Sequence, residues 1–244
     1  AEAVPSANSG YAGRRFIDSG GNAMNSGFRE ISDVDPIWGR EFLDAYLDYG
    51  NEYSIDNKTL HLGFMLALLG KSVGDSKFHI GDDEEHCRVH PLMVQDSGSG
   101  KDPAFTFAKL VADEAVISFS DSNDLTNAGL VGTFDNGEEV RGAADRHDII
   151  GFREAMELIK SSNTDWSENF SENLNSILDG SPVERHMASG TIEFVPNCTV
   201  VGTTYPPSEK DIDVENLMRN GMLARFLYFF KDVTYEDRFE INKK

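Results

Sequence analysis

The chain has 244 residues, of which 39% are hydrophobic and 10% aromatic, including 16 Phe. That supplies enough apolar side chain for a packed core and excludes bulk disorder. Asp and Glu number 42 against 22 Lys and Arg, a formal charge of -20, which excludes a protein that grips nucleic acid over its whole surface but leaves open a local basic loop or the pore of an oligomer.

The acidity itself has two readings: an acid-coated surface suited to concentrated salt, or ordinary solubility. The longest apolar run, Leu60 to Leu69, is interrupted by His61 and Gly63 and is about half the length of a membrane span, so a protein without a membrane anchor is expected. The N-terminus has no apolar stretch of the kind a secretion signal carries. It also has no initiator Met, as a fragment would not. Cys87 and Cys198 are too few for a disulfide framework, and a reducing cytoplasm is the default expectation.

Length suits one large domain with an N-terminal extension. Residues 1–35 are rich in Gly, Ser, Ala and Asn and read as a flexible arm. From Pro36 to Arg88 a helical segment packed on the core is expected. There Trp38, Phe42, Leu43, Tyr46 and Leu47 recur at helical spacing up to Gly50, and Thr59–Leu69 reads as a buried second helix. Gly74–Glu85 reads as a turn region or hairpin with an acidic tip. Residues 89–244 form the expected core domain. Val89–Gln95 reads as a strand, with Pro91 awkward for a central one. A Gly/Ser loop follows, then a helix from about Pro103 with Phe105, Leu110 and Val111 on its apolar face.

Val116–Phe119 is a further strand, and Ala128–Phe134 a helix end or a strand. Asp148–Phe152 (DIIGF) is an apolar strand leading into a helix through Ile159. Phe170–Leu178 is helical. Thr191–Val195 and Cys198–Thr203 are expected to pair around the Pro196-Asn197 turn, and Asp213–Phe230 reads as helix, Gly and the apolar segment from Phe226. Strands alternating with helices argue for an α/β layered domain with a largely parallel sheet.

The sharpest feature is Gly98-Ser99-Gly100-Lys101, set after a strand and before a helix. Glycines let successive amides turn inward around phosphate oxygens, the helix N-terminus adds a positive dipole end, and a lysine there is a point charge for a phosphate tail. Ser97, Gly98, Ser99, Gly100, Lys101 and Asp102 are therefore the candidate nucleotide-binding residues. Against the full pattern G-x-x-x-x-G-K-[ST], two fixed positions depart: Gln95 stands at the first glycine and Asp102 at the hydroxyl residue. A carboxylate at 102 is a candidate ligand for Mg²⁺, yet it also brings negative charge to the phosphates. A plain Gly/Ser turn with a solvated Lys101 is the competing reading.

Several further segments stand in a telling order. HLGFMLALLG precedes the loop, GKDPA spans 100–104, ILDG spans 177–180, IEFVPNCTVVGTTYP spans 192–206 and GMLARF spans 221–226. In that order the chain, from about Asp56 to Tyr228, resembles the helicase-like P-loop ATPases of phages, plasmids and mobile elements, which are often associated with primases and belong to the AAA+/RecA-like division. The resemblance implies a P-loop NTPase fold, α/β with a central mostly parallel sheet flanked by helices. It implies ATP and Mg²⁺ as ligands, and a ring oligomer, a hexamer, acting on DNA through its pore during replication.

Carried onto this chain, the resemblance implies Lys101 on the phosphates, Glu154 as the base that polarises water, Thr204 (with Thr203) as the γ-phosphate sensor, and Arg225 as a finger reaching a neighbouring subunit, with Arg185 a weaker candidate. The acid expected before Glu154 is Arg153, and Asp148 or Asp102 is left to supply the missing carboxylate. Two rival readings stand beside the motor: a degenerate relative that binds nucleotide, or is purely structural, without turnover, and a DNA-packaging ATPase. Lys160, Arg141 and Arg146 are candidate pore contacts. His86-Cys87-x-x-His90 has some metal-site character but lacks a second ligand pair, and the aromatic run Phe226–Phe230 reads as core rather than a stacking platform.

Overall fold

The protein's structure, a computed structural model, describes residues 36–53, 57–73, 77–80, 83–121, 126–156, 168–206 and 221–232. The chain divides into two compact units, 1–42 and 43–244. Of the first, residues 36–42 are described and are helical; the sheet and helices α2 to α6 belong to the second. The helices are α1 (Pro36–Tyr53), α2 (Lys58–Ser72), α3 (Lys101–Glu114), α4 (Asn127–Val131), α5 (Ala143–Arg146) and α6 (Glu168–Asp179). The strands are β1 (Lys77–Ile80), β2 (Asp83–His86), β3 (Pro91–Val94), β4 (Phe119–Asp121), β5 (Gly132–Asp135), β6 (Glu138–Arg141), β7 (Ile149–Phe152), β8 (Val183–Met187), β9 (Gly190–Phe194), β10 (Thr199–Thr204) and β11 (Leu227–Phe230).

Five strands form one parallel sheet in the order β11-β3-β10-β7-β4. All six residues of β10 and all four of β3 and of β7 are buried, as a parallel sheet covered on both faces requires. Alternate residues feed two cores. Met93, Phe119, Ile149 and Val201 face α2 and α3, where Leu60, Phe64, Phe105 and Ala108 pack. Leu92, Val94, Ile150, Phe152 and Val200 face the other way, onto Leu130, Leu174, Ile177, Ile192 and Met222. The expected α/β architecture with helices on both sides of a parallel sheet is therefore the observed one. Gly151 sits in β7 because a Cβ there would stand 2.3 Å from Phe105 Cζ and 2.5 Å from Phe119 Cε1. Among the described residues, no helix is long and apolar enough to cross a membrane.

Several expectations need correcting. Thr191–Val195 does not pair with Cys198–Thr203. β9 turns back on β8 as an antiparallel hairpin, and β10 enters the parallel sheet between β3 and β7. The reason lies in burial: β9 alternates buried and exposed, as a strand on a layer's outer side does, whereas β10 is apolar or buried throughout. Pro91 is compatible with a central strand because it is that strand's first residue, where β11 pairs through the His90 carbonyl with Leu227 N at 2.9 Å. Helix α1 runs through Gly50, which is buried against the His61 ring. Helix α3 runs from Lys101 with Pro103 in its first turn, and Phe105 lies on its apolar face with Phe107, Ala108 and Ala112, whereas Leu110 is exposed.

The segment 128–134 is both helix end and strand, the latter paired with β6. Gly74–Glu85 contains the hairpin β1–β2. Of the predicted helix through Ile159, residues 155–156 are described and helical; residues 157–159 and 213–220 lie outside the described residues. Residues Leu223–Arg225 form a 3-10 turn and Leu227–Phe230 a strand. Phe226 is core, but Phe230 is 67% exposed.

His90, in the candidate metal cluster, is a structural hinge pin. Its Nδ1 accepts a hydrogen bond from Val200 N (2.9 Å) and its Nε2 donates to Leu178 O (2.9 Å), tying the start of β3 to β10 and to the end of α6. Burial pushes its pKa down to about 4, against weaker opposing influences from those backbone bonds. A folded-state pKa below the unfolded value makes the unfolded chain bind the proton first. This contribution to stability is complete above about pH 6.5 and is lost as the pH falls from there towards 4, about 2 kcal/mol of it by about pH 5. NMR titration of the His90 ring should show no protonation until close to pH 4; titration near the ordinary value would remove the argument.

Candidate functional site

β3 leaves the sheet towards α3 on one face. The described residues that follow β4, β7 and β10, among them Leu130, Leu174 and Met222, pack in the opposite core. The direction of winding therefore reverses between β3 and β10, and the crevice outside their carboxyl ends is where an open α/β sheet offers a ligand its natural seat. The candidate loop stands in this crevice. The ladder is extended by one bond, Gln95 N to Thr204 O at 2.9 Å, and the chain then turns through Ser97 to Gly100 into α3.

Gly98 (φ +79°) and Gly100 (φ +83°) are both left-handed, a conformation that favours glycine. Gly100 caps α3 without a side-chain hydrogen bond. Among the described residues, the amides of residues 97–102 donate no hydrogen bond, and Ser99 Oγ and Gln95 Nε2 are fully buried without a partner. Unpaired donors gathered at a helix N-terminus are the setting in which an anion binds.

The Lys101 side chain folds back over this loop. Its Nζ donates to Gln95 O at 2.8 Å and lies 3.4 Å from both Asp96 O and Thr204 O. Burial lowers its pKa below the ordinary lysine value, while the Glu154 carboxylate, the largest opposing influence, and then Asp102 and Asp96 favour its charged form. Lys101 and Glu154 thus belong to one electrostatic site at the sheet's carboxyl edge. Thr204 presents its carbonyl to Lys101, and its hydroxyl lies 3.4 Å from Tyr205 O. Thr203 Oγ1 donates to Arg153 O at 2.6 Å.

Arg153, at the position where the resemblance implies an acid, is the best-anchored side chain of the crevice. It grips Asp121, the last residue of β4, with two nitrogens: Nε to Oδ1 at 3.0 Å and Nη2 to Oδ2 at 2.8 Å. Its guanidinium lies 4.5 Å over the Phe105 ring. The Asp121 hydrogen bonds raise its pKa further. Its remaining nitrogen, Nη1, meets Asp102 Oδ1 at 3.3 Å. The two carboxylates that flank the loop therefore face a guanidinium. As they stand, Asp102 and Asp121 do not fit a resident Mg²⁺, which that cation would repel.

The other candidates lie elsewhere. Arg225 precedes β11, which runs parallel to β3, so it sits at the opposite end of the sheet from Lys101. There it forms a bidentate pair with Asp179 (both contacts 2.6 Å) and donates to Gly221 O. Within one chain it does not join the loop. Arg185 donates to Gly132 O. Arg141 pairs with Glu139 and Asp145, and Arg146 Nε reaches Gly142 O. Lys160 lies outside the described residues. Asp148 is bound by Ser118 and Lys71 at the amino end of β7, away from the loop.

Sequence reasoning passed over Asn57. It caps α2 through Leu60 N, and its buried Nδ2 donates to Gln95 Oε1 (2.7 Å) and Ser99 O (3.1 Å), bracing both ends of the loop. An Asn directly before a buried helical run was the available signal. Asn57→Ala should lose about 2–3 kcal/mol, since a cap goes and buried acceptors lose their donor. Asn57→Asp, which keeps only the cap, should be nearly as unstable in urea denaturation, whereas wild-type stability in Asn57→Asp would refute the brace.

Compared with known proteins, the chain matches no family model and no curated protein.

Proposed function

We propose that the chain binds the phosphates of ATP with the amides of Ser97 to Asp102 and with Lys101, and that it is a nucleotide-driven, helicase-like module acting on nucleic acid in the replication of a virus or mobile element. One observation carries this reading. A two-glycine loop, its amides unpaired among the described residues, with a lysine folded over it, stands at the point where the sheet's winding reverses.

On this reading ATP brings its own metal as part of the substrate. The amides and Lys101 hold the phosphate tail, trading weak carbonyl contacts for charged oxygens. Glu154 takes the proton of a water whose oxygen attacks the γ-phosphorus as the bond to ADP breaks. The ring oligomer, with Arg225 offered across an interface, and the DNA contacts rest on the resemblance alone. Arg153 at the expected acidic position favours a second reading, nucleotide binding without turnover.

The test is fluorescent-nucleotide binding together with phosphate release, on wild type and Lys101→Ala. Binding and release that both depend on Lys101 support the ATPase. Lys101-dependent binding without release supports the second reading. Absence of any Lys101-dependent binding removes both.

A further inference from the structure

Arg153 carries two kinds of contact. Nε and Nη2 are committed to Asp121 at 3.0 and 2.8 Å, and the guanidinium plane is set by the Phe105 ring beneath it. That cluster fixes where Nη1 points. Among the described residues Nη1 reaches only the Asp102 carboxylate, at 3.3 Å, the longest of the contacts Arg153 makes to carboxylates. The Asp102 side chain is 79% exposed, and among the described residues this is its one hydrogen bond, so water can take its carboxylate.

Asp102 also stands in the first turn of α3, beside the open amides of residues 97–102. A carboxylate there is an internal anion at an anion-binding helix end. The buried Ser99 Oγ and Gln95 Nε2, unpartnered among the described residues, lie within the same loop.

Resting on the phosphate-loop reading, we propose that Arg153 is a phosphate-binding residue, and that the ligand's phosphate displaces the Asp102 carboxylate from Arg153 Nη1. Asp121 and Phe105 position the guanidinium, and Asp102 occupies its free edge until a ligand arrives. The charge-assisted hydrogen bond that results is of the strong class. The same geometry makes Asp102 a competitor of the ligand rather than a partner of it.

The experiment measures dissociation constants for ATP and for inorganic tripolyphosphate, without added divalent cation. It uses wild type, Arg153→Gln, Asp102→Asn and the double variant, with thermal unfolding alongside. Arg153→Gln should weaken both ligands about 10–100-fold. Asp102→Asn should tighten both about fivefold, by removing a nearby like charge. In the Arg153→Gln background that gain should shrink, because the competition is for Nη1.

A purely structural Arg153 would lower the unfolding temperature and leave the Asp102→Asn gain as large in the Arg153→Gln background as in wild type. That outcome, or unchanged or weaker binding in Asp102→Asn, overturns the proposal even if Arg153→Gln folds poorly. If wild type binds in a Lys101-dependent manner but neither variant changes affinity as stated, this inference falls and the phosphate loop stands. If wild type binds neither ligand, both fall together.

Discussion

Lys101→Ala should weaken ATP binding about 10–100-fold while leaving the protein folded. The magnitude is that of one charge-assisted contact to a phosphate, about 1.5–3 kcal/mol. The fold should survive because the pairing of β3 with β10 does not depend on Lys101. Thr204 O also accepts Gln95 N, and the lysine's other acceptors are loop carbonyls at the mouth of the crevice. Burial disfavours its charge, as its lowered pKa records, so its loss should leave the unfolding temperature unchanged or slightly higher. Arginine at this position should not restore binding, since a planar fork does not fit a site built around a compact ammonium. Measurement of the dissociation constant and the unfolding curve on the same samples separates the two effects. Equal affinity in wild type and Lys101→Ala would end the phosphate-site reading.

Phe105→Ala should be the most damaging single core substitution near the site, about 3–5 kcal/mol in urea denaturation. Phe105 is fully buried and meets Phe64 and Phe119 edge-on at 5.5 and 5.3 Å. Gly151 leaves the space its ring fills. Ring pairs of this kind add about 0.5–1.5 kcal/mol beyond the area they bury. The ring's other face is the floor of Arg153, so a cavity here loosens the guanidinium as well as the core. Phe105→Leu, which refills part of the volume, should recover much of the stability but not the flat support under Arg153. A loss below about 1 kcal/mol in Phe105→Ala would show that the core closes over the gap and that the ring is not the anchor described.

Strands and helices were legible where burial is expressed as local pattern. The runs Val89–Gln95, Asp148–Phe152 and Cys198–Thr203 read as strands and contain β3, β7 and most of β10, and Gly98, Gly100 and Lys101 announced a loop in which glycine conformations and a cation meet. Partner choice was not legible. β9 and β10 are separated by four residues and look like a hairpin, yet each pairs elsewhere, because which face a strand buries is settled by the layers around it. The roles of Arg153 and Asp102 were likewise closed to local reading, since a lone arginine after a strand says nothing of an aspartate 32 residues before it.

By itself, then, the amino-acid order determined the alternation of elements, a largely parallel sheet and the glycine loop ahead of a helix, all of which follow from periodicity and backbone freedom within a few residues. Tertiary structure alone decided what stands around that loop: Asn57 bracing it from 38 residues away, Glu154 acting on Lys101, and Arg153 spanning Asp121 and Asp102. These interactions join chain segments whose local propensities are independent of one another, and only the packing of both helical layers on the sheet brings them together.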